Sequence, residues 1–290
     1  GELVCLLKIF RILAKEKHHI IHVHSINYLI SGFICKKFFK IPLVLSLGGT
    51  DFYRAKEIQL FRFILKRVDK IFTVSRSIER ESNNIFEKKN TIYTGNGFNE
   101  RIYEVIEKYE REDRIITVGN LRWQKNQELL LRAFAIFSKH NPSFKLSIVG
   151  NGPEKNNLLK LSKVLGVEEM ITFHGILPPE EIVVLLNKSK VFCLTSKSEG
   201  FPKALLEAMA CGLPCIDTDV GDCSHIIDDN DLIADEDASM YADKIKQVLI
   251  STDRKLPHWK SVNRSKEFSW PNVTKTIDNY YALMVDGKQI

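Results

Sequence analysis

KVFCLTSKSEGFPKALLEAMACGLPCIDTD, residues 190–219, reads as strand, loop, helix, turn and second strand in one unbroken run. KVFCLTS (190–196) and PCIDTD (214–219) are short, apolar and rich in strand-forming residues, and PKALLEAMACG between them has helical spacing. A helix carried between two buried strands makes those strands parallel. Pro202 suits the first turn of the helix, and Gly212 followed by Pro214 suits its end. Glu199 therefore falls in the loop before the helix and Glu207 about two turns inside it. Glu207 is flanked by apolar residues and needs a partner. A ligand is one possibility; Lys203 four residues back, or a backbone donor, is the other. Backbone N–H groups between Gly200 and Ala204 suit phosphate or sugar oxygens, which makes Gly200, Phe201, Pro202 and Lys203 candidate binding residues.

The same alternation extends outward. RIITVG (114–119), FKLSIVG (144–150) and MITFHG (170–175) read as strands, separated by the helical stretches QELLLRAFAIFSKH, PEKNNLLKLSKVLG and PPEEIVVLLNKS. Further upstream, HIIHVHS (19–25), PLVLSLGG (42–49), KIFTVS (70–75) and NTIYTGNG (90–97) alternate with helices near 27–39, across 57–68 and from about Ser77. Non-alternating apolar strands are those of parallel sheets covered on both faces. Between Asn99 and Arg114 the polar ERIYEVIEKYERED reads as an interdomain linker. The expectation is an α/β protein of two Rossmann-like domains, residues 1–110 and 111–265, with parallel sheets facing across a cleft. Ligands of such sheets bind in loops at the carboxyl ends of strands.

Composition agrees with a globular chain: 290 residues, 44% hydrophobic and 27% charged. Lys and Arg outnumber Asp and Glu by 19 to 12 in residues 1–110, whereas the remainder holds 23 against 24. The excess is greatest in residues 1–76, with 14 basic and 5 acidic side chains. Helices such as IQLFRFILKR in this stretch suit peripheral contact with an anionic membrane, and an ordinary solvated basic face is the alternative. No apolar run reaches the ~20 residues that span a bilayer, because His22, His24, Ser25 and Asn27 interrupt Ile20–Cys35. No signal peptide is evident, and the opening on Gly1 rather than Met suggests an excerpt of a longer polypeptide. Six cysteines without a C-x-x-C pair, mostly inside apolar segments, read as reduced, buried thiols of a cytoplasmic protein.

Glu199 and Glu207, set in E-G-F-P-x-x-x-x-E-A-M-A-C-G, resemble the E-x7-E signature of the retaining glycosyltransferases of family 4, which have the GT-B architecture. The resemblance implies that Glu199 meets the donor sugar's hydroxyls near the reacting carbon and that Glu207 accepts from the ribose. Carboxylates are good acceptors for vicinal diols. TVGNLRWQKNQELL (117–130) resembles the family's diphosphate-clamping segment, with Lys125 at the Lys position. Asn120 stands where the family has Arg, and Arg122, two residues on, is inferred to supply the second cation, since a departing diphosphate needs charge neutralisation. IVGNGPEKNNLLKL and ITFHGILPPEEI resemble the segments that close over the nucleoside. There Gly150 and Gly152 would permit a tight turn, and backbone groups of His174, Gly175 and Ile176 would hold the base. The His174 side chain itself is expected to be structural. In VLSLGGTDFYR, Gly48 stands where relatives often carry a His, and Asp51 is an acceptor-side candidate or a helix cap. A leaving phosphate that itself deprotonates the acceptor dispenses with that His.

The resemblance runs from HIIHVH to FSWPNVTKTIDNYYALM (268–284), which resembles a closing helix, residues 266–290, that returns to the first domain. It implies metal-independent transfer of a sugar, with no cofactor and no nucleic acid. The donor would be a nucleotide sugar, by family a UDP-sugar, and the acceptor a glycan or lipid-linked molecule of cell-surface polysaccharide synthesis. The family's opening strand and glycine-rich loop are not seen. Alternatives are a non-catalytic nucleotide-sugar-binding partner, an inactive fragment, or a GT-B sugar-nucleotide epimerase. Asp217-Thr218-Asp219 has the D-x-D form of metal-dependent enzymes, but its place after E-x7-E matches the metal-independent relatives. His22-Val23-His24 presents two imidazoles on one strand face, too few for a zinc site.

Overall fold

The computed structural model describes residues 2–86, 90–227, 232–233, 237–251 and 258–286. The chain forms two compact units, Gly1–Asn96 with Val273–Ile290, and Gly97–Asn272. Residues 100–113, expected as linker, group with the second unit.

In the first unit β1 (Ile21–Val23), β2 (Leu43–Leu47), β3 (Lys70–Thr73) and β4 (Thr91–Tyr93) pair in that order, all parallel. Its helices are α1 (Glu2–Leu13), α2 (Leu29–Phe39), α3 (Gly49–Glu57), α4 (Gln59–Leu65) and α5 (Arg76–Ile85). The core is made by Leu43, Leu45 and Leu47 of β2 with Ile26, Leu29, Phe52, Leu65, Val68 and Ile71, all fully or almost fully buried. α2 lies so close to β1 that a Cβ on Gly32 would stand 2.7 Å from the Val23 side chain. The Asp69 carboxylate accepts from the Leu43 amide at 2.7 Å and from Lys36 Nζ, tying α2 to the start of the central strands β2 and β3.

The second unit holds β5 (Arg114–Val118), β6 (Lys145–Val149), β7 (Ile171–Gly175), β8 (Val191–Leu194), β9 (Cys215–Thr218) and β10 (Leu232–Ile233). Their order is β10-β9-β8-β5-β6-β7, all parallel. The helices are α6 (Gln127–Ser138), α7 (Lys155–Val164), α8 (Pro179–Lys188), α9 (Lys203–Ala210), α10 (Cys223–Ile226), α11 (Ala238–Ser251) and α12 (Trp259–Lys266). α13 (Trp270–Val285) starts in the second unit and continues in the first. β5 is the strand from which the order runs both ways, so its loop and that of β8 flank the topological switch point where ligands of such sheets bind. One face of the sheet is packed by Leu130, Leu131, Phe134, Ile245 and Leu249 of α6 and α11. Tyr241 of α11 is fully buried and donates to the carbonyls of Ile216 at 2.9 Å and Leu194 at 3.3 Å, under β9 and β8.

Five cysteines, Cys35, Cys193, Cys211, Cys215 and Cys223, are buried and form no disulfide. No helix among the described residues is long and apolar enough to cross a membrane.

His22 on β1 is hydrogen-bonded at both ring nitrogens, to the Tyr281 hydroxyl of α13 and to Ser46 Oγ of β2 at 2.8 Å. Neither nitrogen is left for a metal. Burial, and then His24 with its ring 4.0 Å away, lower its pKa from 6.5 to about 4. The native imidazole is thus neutral where the unfolded one takes up a proton. Its contribution to stability is full above about pH 6.5 and is lost as pH falls toward 4. Thermal unfolding followed down this range is expected to show a steeper acid loss for the native chain than for His22→Gln, which has no proton to gain. Parallel profiles would rule this linkage out.

Candidate functional site

The loops after β5 and β8 meet at the switch point. After β5 the chain makes a short 3-10 turn, Trp123–Lys125, ended by Asn126 in the left-handed region at φ 46°. The turn is held by Gln127 Nε2 donating to the Asn120 carbonyl at 3.2 Å and by Thr195 Oγ1 donating to the Asn126 carbonyl at 2.9 Å. A backbone bond from Lys197 to the Gln124 carbonyl at 2.7 Å joins the two loops. Lys125 Nζ donates to Glu199 Oε1, forming an ion pair whose side chains are 24% and 9% exposed. Ser196 Oγ donates to the same carboxylate oxygen at 2.6 Å. Two residues 74 apart in sequence are therefore brought together as cation and acid.

Two glycines make this approach possible. Gly150 sits at φ 137°, and a Cβ there would lie 1.9 Å from the Gly119 carbonyl oxygen. Gly221, at φ 62°, would bring a Cβ to 2.1 Å from the carbonyl of Glu199, so the turn after β9 is packed against the acid's own backbone. Gly152 is likewise pressed on Leu121.

A cleft of about 360 Å³ opens beside the pair, lined by Lys125, Asn120, Gly150, Ile176, Pro202 and Lys203 among others. Pro202 caps α9, whose first turn therefore faces the cleft. Ile176 is 81% exposed at its rim, just beyond Gly175 at φ 73°. Phe201 is buried against Phe268, with ring centroids 5.6 Å apart, and holds the start of α9 from behind. Gly200 has open space around it. Arg122 is exposed and lines a neighbouring depression with Trp123 and Lys197; Asn120, at the position the family gives to Arg, lines the cleft itself.

α9 is fixed at its far end by Arg111, whose guanidinium donates to the carbonyls of Ser189 (2.7 Å), Cys211 (2.8 Å), Gly212 (3.1 Å) and Leu186 (3.2 Å). Gly212, at φ 72°, ends the helix in the left-handed turn expected of it. One turn back, Glu207 is approached by the Tyr103 hydroxyl and feels the charge of Lys203. Burial raises its pKa, and Lys203 and the Tyr103 hydroxyl oppose this. Tyr103 was not foreseen, since it lies in the stretch that reads as linker. Lys203 reaches over the Trp270 ring at 5.5 Å.

The remaining sequence candidates lie elsewhere. The His174 imidazole turns into the sheet and hydrogen-bonds Ser147 Oγ at 3.0 Å, beside Arg114, which donates to the same oxygen at 2.6 Å. Burial, and then Arg114, lower its pKa. Asp51 belongs to the first unit, where its carboxylate accepts from the Ile26 amide at 3.0 Å. In the D-x-D stretch Asp217 is fully buried and Asp219 exposed, so the two carboxylates do not share a surface. Among the described residues no three His, Cys, Asp or Glu side chains are grouped as a metal site.

Two parallel α/β units in tandem are the architecture of GT-B glycosyltransferases, and solved structures agree. The Anabaena protein HepE, crystallised in complex with UDP, superposes with a TM-score of 0.82 at 17% identity over 96% of this chain and 81% of its own. The chain belongs to the family of glycosyl transferases group 1, whose model matches residues 98–264, and the model of Glycosyltransferase Family 4 matches residues 2–99. It is 32% identical to the N-acetyl-alpha-D-glucosaminyl L-malate synthase of Bacillus anthracis, over 77% of this chain and 62% of that protein. It is also 32% identical to the amylovoran biosynthesis glycosyltransferase AmsD of Erwinia amylovora, over 49% of this chain and 40% of AmsD. The chain thus spans less than two thirds of the length of either relative.

Proposed function

We propose that the second unit is the donor site of a retaining glycosyltransferase, and that the chain acts in transfer of a hexose-type sugar from a nucleotide sugar to a glycan or lipid-linked acceptor. The observation that carries this reading is the Lys125–Glu199 pair at the β5/β8 switch point, beside a cleft that α9 faces with its N-terminus. In this reading the donor displaces the ion pair: Lys125 turns to the diphosphate, and Glu199 accepts from the sugar's hydroxyls. Arg122, exposed on the same loop, is the second cation. Glu207 takes the ribose diol, and the rim at Gly175 and Ile176 covers the base. The chemistry asks no more of the protein than charge stabilisation and alignment: the glycosidic bond to the diphosphate breaks, and a phosphate oxygen takes the acceptor's proton as the new bond forms on the same face. Lys125 and Arg122 supply the positive charge for which other transferases use a metal.

UDP in the structure of HepE supports a UDP-sugar as donor, and the amylovoran role of AmsD supports a polysaccharide acceptor. Asp51 is kept as the acceptor-side residue. The basic first unit, with Phe38, Leu60 and Phe63 exposed, fits peripheral contact with an anionic membrane from the cytoplasmic side. Sedimentation that is equal with neutral and anionic vesicles would remove that part of the reading. The donor assignment is tested by thermal unfolding with a panel of nucleotide sugars, because a ligand of the folded state alone raises its apparent stability. Stabilisation by UDP-sugars over ADP- and GDP-sugars is expected; a flat response across the panel would sink it.

A further inference from the structure

Asp217 on β9 has no exposed surface, and neither of its carboxyl oxygens makes a hydrogen bond of ordinary geometry. The Cys223 thiol and the Thr218 amide are the donors that approach it. Its other titratable neighbours come from every side: Cys193 of β8, Tyr241 of α11, and Glu199 and Lys125 of the candidate site. An unpaired carboxylate in such surroundings is strongly disfavoured, so the acid keeps its proton. Burial is the largest cause and the charge of Glu199 adds to it, while the Cys223 contact works against them; the pKa is held well above the usual carboxylate range.

The end of β9 is also fastened to the loop that bears Glu199. Thr218 Oγ1 donates to the Ser196 carbonyl, and Ser196 Oγ donates to Glu199 at 2.6 Å. A charge appearing at Asp217 would act on Glu199 and Lys125 through protein rather than water, where Coulomb interactions are strongest.

We propose that Asp217 is a positioning residue for the Lys125–Glu199 pair: as a neutral acid it leaves the pair intact, and on ionising it repels Glu199 and competes for Lys125. The pair and its burial stand on geometry; only the consequence for donor binding rests on the function proposed above. The sign of the linkage follows from the two states. The unfolded side chain loses its proton near pH 3.9 and the folded one far later, so the stability this residue contributes is full below about 3.9 and is lost as pH rises toward the folded pKa.

Asp217→Asn keeps the shape and removes the ionisation. Unfolding midpoints of the full chain and of this variant, taken from pH 5 to 9, are expected to diverge in the variant's favour as pH rises. At the pH where the acid ionises in the folded chain, the Lys125 side-chain resonances, read by heteronuclear NMR, are expected to shift in the native chain and stay flat in the variant. The ratio of UDP affinities, variant over native, should grow by up to about tenfold per pH unit once the acid ionises. A constant midpoint difference overturns the buried-acid claim. Diverging midpoints with identical Lys125 profiles overturn its action on the pair. Failure of UDP to bind either protein would instead count against the donor site, with the midpoints and resonances still deciding the role of Asp217.

Discussion

Lys125→Ala is expected to lower the rate of sugar transfer by about 10²- to 10³-fold, with most of the loss in kcat, as for removal of one preorganised charge from a transition state. In the proposed reaction negative charge grows on the departing diphosphate, and the ammonium nearest to it stands on a turn that two hydrogen-bonded loops hold in place. The substitution also strips Glu199, only 9% exposed, of its cation, while Ser196 remains bonded to it. An uncompensated buried carboxylate is costly, so the loop is expected to loosen as well. Steady-state kinetics separate the two effects. A lost cation lowers kcat whatever the donor concentration, whereas a loosened loop raises KM. Full kcat in this variant would remove Lys125 from the chemistry.

The second large effect is on stability. Gly150→Ala is expected to cost about 3 kcal/mol or more, because the new Cβ meets a backbone oxygen at 1.9 Å and φ 137° is closed to L side chains. Relief requires moving the Gly119 loop away from β6, and the Gly150 amide would also have to loosen its 2.7 Å bond to the Gly175 carbonyl. Gly175→Ala is the control: its φ of 73° is strained for alanine but its surroundings are open, and about 1 kcal/mol is expected. Denaturant unfolding of the two variants measures the difference. Equal midpoints would mean that the close approach of the two loops is not real.

How much of this was legible in the sequence differs from element to element. The strand-helix-strand run at 190–219 gave β8, α9 and β9 to within a residue or two, because β-branched runs, a proline start and a glycine end are local signals. α3 read as a loop, since Gly48, Gly49 and Thr50 suggest a turn, and the helix exists because Phe52 and Ala55 find the core of the first unit. α11 and α12 were not read at all. The polar stretch 100–113 looked like linker because nothing in its composition tells of Arg111 or the Ile106 amide, which donate to groups of α8 and at the end of α9, or of Tyr103, whose hydroxyl approaches Glu207. Such partners are set by tertiary packing, to which periodicity is blind. For the same reason the loop sequence named Arg122 and Lys125 as a pair but did not say that only Lys125 lines the cleft.

The residue that distinguishes a nucleotide site from a buried ion-pair network is Glu207, because its proposed partner is a ribose rather than a protein group. Its carboxylate is half-buried, approached by the Tyr103 hydroxyl and near Lys203, an arrangement that a merely structural acid in ALLEAMA would also satisfy. Calorimetric titration of the native chain and of Glu207→Ala with UDP separates the two. The account expects UDP to bind the native chain and to bind the variant more weakly by about 1–3 kcal/mol, the loss of charge-assisted hydrogen bonds to the diol. Equal affinity of both proteins for UDP would contradict it.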